Sequence, residues 1–382
     1  MKRIVSLLLL LAFALRGAEQ MVSLAPIEQR LEKILDTCLE NPDRYAELVG
    51  RECRSFPEAE LFSYTFPAYA YINLGLSEPD KRVHCAAQTK KLIVLTLQSA
   101  LSHLKPNDFD LMQLKTYEKQ ATWMGHMALL LGAYRLISED STYDKLRLHL
   151  ISLLVDGLKA ENGLPIMSYP TYAWTVDTIP CLLAIRINDQ VTGRDNANLL
   201  ISRHLGWLRG KGLHPDYGLP YSEYDMLKRN GMAAPRGCDL SYRFCFLPHM
   251  APTFSKELYA TYKQQFFREL GDLAGFREYP KDLNLQADID SGPIVMGMGL
   301  SASGLGLSAA KANHDYTTYN KLARVLLQID DIKALFLLAG AEQMQRLLPE
   351  IKSQYVTGFL YGDAILFYCV TWTSWSPQKT DL

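Results

Sequence analysis

Five short stretches combine carboxylates with aromatic rings, and the residue types that could do chemistry are concentrated there. They read Y-A-W-T-V-D (172–177), R-G-C-D (236–239), F-R-E-Y-P (276–280), D-I-D-S-G-P (288–293) and Y-G-D (361–363). Carboxylates gathered at one cavity suit general acid and general base roles, since one can hold a proton while another accepts one. Asp177, Asp239, Glu278, Asp288 and Asp290 are the candidate catalytic residues. Aromatic faces suit stacking on sugar rings or terpenoid chains. Tyr172, Trp174, Tyr224, Arg236, Arg277 and Tyr279 are the candidate substrate-binding residues.

Each of these acids has a structural alternative. Asp before a helix caps it, and an acid in the first turn favours the helix dipole. Asp290-Ser291-Gly292-Pro293 reads as a cap followed by an early-helix proline. One cap does not account for Asp288, Glu278 and Arg277 beside it.

Other signals are weaker. D-x-D at 288–290 lacks the further oxygen ligands a calcium site wants. The glycine-rich 297–306 has no strand before it, so it fails the dinucleotide context and reads as close helix packing. His126 and His249 sit in apolar segments and read as core histidines. Cys238 has no histidine close in sequence to activate it. Tyr221, Glu223, Tyr224 and Asp225 form a polar, aromatic loop patch. Seven scattered cysteines with no C-x-x-C pair make neither a disulfide framework nor a structural zinc site. No metal and no cofactor is expected.

The elements that must position these residues are helices of two kinds. Segments 26–40, 85–104, 143–159, 195–209, 254–273 and 332–347 are amphipathic, with one wet and one packed side. Segments starting at Ser63, Trp123, Val176, Asp239, Asp290 and Tyr361 are apolar nearly all round and rich in small residues, so they are buried on all sides. Markers near their starts recur every 51 to 73 residues, one buried helix and one surface helix per unit. No polar terminal caps of an open superhelix are visible. The expected fold is all-α, an (α/α)6 toroid of alternating inner and outer helices over residues 19–382 as a single domain. No strand pairs with turn signals are read. Two long loops, 211–238 and 274–290, are candidates for function.

This alternation, with acidic, aromatic loops such as FREYP and DIDSGP, resembles the six-hairpin glycosidase-type toroids. It is also similar to the linalool dehydratase/isomerase-like proteins, which share that toroid and include exported members. The resemblance implies a central cavity lined by the inner-helix entries. No complete catalytic motif of either family maps onto the chain.

Bulk properties bound the partners. Forty Lys and Arg nearly cancel forty-one Asp and Glu, which leaves no footprint for nucleic acid or an anionic membrane surface. Lys2 and Arg3 precede an apolar run from Ile4 to Leu15, too short to span a bilayer but suited to a signal peptide over 1–18. The chain is therefore expected to be exported, periplasmic or secreted, with no stable membrane span and a small-molecule or glycan ligand. Three functions follow. The first is a glycoside hydrolase or lyase with two carboxylates across an aromatic cleft. The second is a dehydratase/isomerase of a small apolar alcohol in a closed apolar pocket, for which Met296, Met298, Phe244 and Cys245 are candidate walls. The third is a non-catalytic binding toroid whose acids are all used in caps.

Overall fold

Small residues decide how closely the helices of this chain approach one another. The computed structural model describes residues 20–283, 285–331, 333, 352 and 354–375. The expected leader at 1–18 and all but one residue of the 332–347 segment lie outside the described residues. The described part is mostly helical.

Six helices are apolar almost all round: α3 (Pro57–Ser77), α5 (Ala121–Tyr134), α7 (Thr178–Thr192), α9 (Gly237–Phe246), α11 (Leu300–Ala312) and α13 (Leu360–Thr371). Every residue of α5 and of α9 is buried. A helix with no wet face must be covered on all sides. Each of the six packs on the next in sequence order, and α13 packs on α3. Glycine sets several of these contacts. A Cβ at Gly125 would meet Cys181 Sγ at 2.6 Å, and one at Gly132 would meet Ile187 at 3.3 Å, so α5 and α7 touch through bare backbone.

The amphipathic helices flank this group. They are α1 (Ala25–Leu39), α2 (Pro42–Glu52), α4 (Arg82–Leu104), α6 (Asp144–Glu161), α8 (Ala197–Trp207), α10 (Pro252–Phe266) and α12 (Tyr316–Leu327). In α1 the spacing Ile27, Leu31, Leu35, Leu39 puts one residue per turn into the core. Proline at the first turn starts α1, α2, α3 and α10, where its missing N–H costs nothing. Among the described residues no helix is long and apolar enough to cross a membrane.

Two expectations need correction. Short strands are present, and they form three small antiparallel sheets: β1 (Tyr172–Trp174) with β2 (Glu223–Asp225) and β3 (Asn230–Gly231), β4 (Phe267–Leu270) with β5 (Leu273–Phe276), and β6 (Ile294–Val295) with β7 (Met298–Gly299). Strands of two to four residues are too short to show alternation, which is why the sequence hides them. The second correction concerns the glycine-rich segment from Asp290. Met296 and Gly297 both take left-handed φ, at 51° and 77°, and close a two-residue hairpin between β6 and β7. The helix therefore begins only at Leu300, with Gly299 at its N-cap, and Asp290 caps nothing there.

Between the inner helices lies an aromatic core. Phe66 is surrounded by the rings of Phe62, Tyr69, His126, Tyr242, Phe246 and Tyr368 at centroid distances from 5.3 to 6.1 Å. His126 bridges the Tyr242 hydroxyl at Nε2 and lies 3.0 Å from the Tyr69 hydroxyl at Nδ1. Burial lowers its pKa to about 3, so it is a neutral core histidine, as its apolar segment implies.

Candidate active site

A cavity of about 800 Å³ opens above this aromatic core, where loop residues enter α7 and α9. Asp177, Asp239, Asp290, Tyr172 and Trp174 line it, with Glu58, Tyr169, Thr122 and Cys238. Phe56, Phe62, Phe66 and Val176 supply apolar wall.

Asp177 ends a one-turn segment, Thr175–Asp177, in front of α7. Its Oδ2 accepts a hydrogen bond from Thr122 Oγ1 at 2.6 Å. Burial raises its pKa to about 7; hydroxyls of Ser168 and Thr122 pull it down and neighbouring Asp239 pushes it up. Asp239 lies in the first turn of α9, and its Oδ2 accepts from Ser222 Oγ at 3.1 Å. Arg243, one turn further on, places Nη2 3.7 Å from Asp239 Oδ1 and donates to Thr175 Oγ1 at 2.7 Å. Burial raises Asp239 to about 6, and Arg243 opposes the rise. Neither acid serves its helix as an N-terminal cap through its side chain.

The other acids are organised by Arg236. Its Nε donates to Glu278 Oε1 at 2.9 Å and its Nη2 to Asp288 Oδ1 at 2.7 Å, while Nη1 lies 3.8 Å from Asp290 Oδ2. The guanidinium also stacks over Trp174 at 5.5 Å and Tyr279 at 5.6 Å. Glu278 does the capping that Asp239 does not. Its Oε2 accepts from Cys238 N at 3.1 Å, and its carbonyl from Gly237 N at 2.7 Å, both at the start of α9. Gly237 is required there, because a Cβ would sit 1.9 Å from the Arg277 carbonyl oxygen. Burial pushes Glu278 to about 7, and Arg236 pulls it back. Asp288 is held below its ordinary value by Arg236 and by the Ser291 N–H and hydroxyl, which outweigh its burial. Asp290 stays at the cavity wall, raised to about 6 by burial.

The structure thus divides the expected catalytic set. Asp177, Asp239 and Asp290 face the cavity; Glu278 and Asp288 belong to the clamp behind it. It divides the binding set as well. Tyr172 and Trp174 line the cavity, while Arg236 and Tyr279 build its support. Tyr224 does not reach the cavity. It pairs with Ala173 across β1–β2, on the face opposite Tyr172 and Trp174, and packs edge-on against Trp207. Arg277 also turns away: it alternates with Glu278 along the chain and lies beside Arg268 at the Met296–Gly297 turn. Nor do Met296, Met298, Phe244 and Cys245 line the cavity. Met296 is exposed at its turn, and Phe244 packs on Tyr259 and Tyr262.

Two residues escaped sequence reading. Tyr169 stacks on Tyr172 at 5.1 Å and donates to Glu58 Oε1. Glu58 lies in the first turn of α3, five residues before that helix first reads as apolar at Ser63. Starting α3 at Pro57 rather than at its first apolar run points to Glu58. No protein-family model matches the chain, and no curated protein matches it.

Proposed function

We propose that this chain is an exported enzyme built as an (α/α)6 toroid, working by acid–base catalysis between Asp177 and Asp239. The toroid is supported by the cyclic packing order, in which α13 returns to α3. The observation that carries the catalytic reading is that two buried carboxyls face one cavity with pKa values raised to about 7 and about 6. Burial pushes both up, and Arg243 beside Asp239 favours its ionised form, which makes Asp177 the acid and Asp239 the base. Asp177 keeps its proton longer and donates it to a substrate oxygen as the C–O bond breaks. Asp239, with Arg243 beside it, is the carboxylate that takes a proton.

The walls favour a substrate with an apolar body. Phe56, Phe62, Phe66 and Val176 offer hydrocarbon, which suits the dehydratase/isomerase expectation: the hydroxyl leaves as water and Asp239 removes a proton from the neighbouring carbon to give an alkene. A second reading, a glycoside hydrolase or lyase, is supported by Tyr172 and Trp174 at the cavity wall, rings on which a sugar stacks. In its hydrolytic form Asp239 takes the proton of the attacking water instead.

The test is turnover of a panel of tertiary and allylic alcohols against neutral and acidic oligosaccharides, read by mass spectrometry as loss of water or as chain cleavage. Rate against pH should peak between about 6 and about 7, where Asp239 is ionised and Asp177 protonated. Asp177→Asn and Asp239→Asn should each lower turnover by about 10²- to 10⁴-fold. Full turnover in both variants sinks the assignment. N-terminal sequencing of the exported chain should start near residue 19; a chain beginning at Met1 rejects cleavage of the 1–18 leader.

A further inference from the structure

Outside the lining of the cavity, α1 and α4 each present a pair of ligand-type side chains one turn apart, Glu32 with Asp36 and His84 with Gln88. Residues four apart lie on the same helix face, so the two pairs can meet across the helix contact. They do meet. One ligand atom from each of Glu32, Asp36 and His84 falls within 4.8 Å of the others, and His84 Nε2 is 3.1 Å from Asp36 Oδ1.

We propose that Glu32, Asp36 and His84 form a binding site for a divalent transition metal of the zinc type, with Gln88 as an accessory ligand. Tetrahedral zinc with bonds near 2.1 Å separates its donors by about 3.4 Å, so His84 Nε2 and Asp36 Oδ1, now hydrogen-bonded at 3.1 Å, need only part slightly to form one edge of such a site. One imidazole with two carboxylates suits zinc and its transition-metal neighbours; calcium takes oxygen ligands only.

The surroundings hold the ligands in place. Asp36 Oδ1 accepts from Tyr71 Oη and from Gln88 Nε2, each at 2.7 Å, which fixes the carboxylate. Gln88 is only 6% exposed, and its Oε1 has no hydrogen-bond partner. A buried amide oxygen without a donor is costly. Half a turn of the Gln88 amide brings that oxygen to Asp36, a position that repels in the absence of a cation and ligates in its presence. The present competitor is Lys81, whose Nζ is 3.0 Å from Glu32 Oε2. Its side chain is 35% exposed and free to swing into solvent when a cation takes its place. Bound metal would tie α1 to α4, and because the unfolded chain does not assemble these ligands, binding adds to stability.

The experiment is calorimetric titration of the mature chain with zinc sulfate, together with visible absorption on adding cobalt chloride. One zinc per chain, a rise in Tm and a cobalt d–d band are expected. His84→Ala should weaken zinc binding at least tenfold and abolish the cobalt band. His84 is 46% exposed, so its loss spares the fold, and circular dichroism of the variant checks this. Asp177→Asn should leave binding unchanged, which separates this site from the cavity acids. Lys81→Ala should tighten binding by freeing Glu32. Absence of zinc binding in the wild type, equal binding in His84→Ala, or unchanged binding in Lys81→Ala would overturn the site.

Discussion

Two acidic regions lie side by side in this molecule and differ in what faces their carboxylates. In the clamp, Glu278 and Asp288 each meet Arg236 within 2.9 Å. In the cavity, Asp177 and Asp239 meet neutral hydroxyls, Thr122 and Ser222, and the Arg243 guanidinium stays 3.7 Å from Asp239. The functional group is the same; the partner differs. A guanidinium in contact spends the carboxylate on structure, whereas a hydroxyl orients the carboxyl and leaves its proton exchangeable. Glu278 shows how far this goes: its pKa is raised to about 7, as Asp177's is, yet both its oxygens are engaged by Arg236 and the Cys238 backbone and thiol. A raised pKa alone does not mark a catalytic acid; an oxygen left without a hydrogen-bond partner, as Asp239 Oδ1 is, must go with it.

The comparison can be broken most severely at Arg236. Arg236→Ala should destabilise the protein by roughly 3–5 kcal/mol, because Glu278 is left buried without its partner. The loss, followed by chemical denaturation, should be greatest above about pH 7, where Glu278 ionises. Equal stability would mean that the clamp holds nothing.

Asp177 should behave in the opposite way. Burial lifts its carboxyl from 3.8 to about 7, so the native state holds a proton that the unfolded chain gives up. Its favourable contribution is full at pH values below the unfolded pKa and is lost as pH rises through the native one. Asp177→Asn should therefore be more stable than wild type by on the order of 4 kcal/mol near pH 8, and equal to it in acid. Denaturation curves across that range are the check. A variant less stable at every pH would place a structural charge where a catalytic acid is proposed.

Asp290 sharpens the boundary between the regions. It sits 3.8 Å from Arg236 with its side chain 34% exposed, touching both clamp and cavity. Asp290→Asn should cost less than roughly 1 kcal/mol and lower turnover far less than Asp177→Asn does. A loss as large as that at Asp177 would move Asp290 into the catalytic pair. The smallest effect belongs to Tyr224→Phe. The ring packs on Trp207 and faces away from the cavity, so kcat and KM should both stay at wild-type values. A raised KM would restore Tyr224 to the binding set.

The alternation of amphipathic and all-apolar segments determined the helical class and which helices are buried, since burial on one side or on all sides is written in the periodicity of a helix. The sequence also marked Asp177, Asp239 and Asp290, because acids at the entry of a buried helix stand out against their apolar surroundings. It could not tell Glu278 from Asp177. That difference lies in Arg236, 42 residues from the one and within hydrogen-bond reach in space. It could not orient Tyr224, because in a strand of three residues the face a side chain takes is set by the pairing partner, nor Arg277, which follows β5 and is held by a single bridge to Met298. Nor could it place Asp290, which reads as a helix cap until the left-handed turn at Met296 and Gly297 delays the helix to Leu300. Composition and period are local properties that the chain carries with it. The partner of a charge and the face of a short strand are contacts across distant segments, and these exist only once the helices have packed.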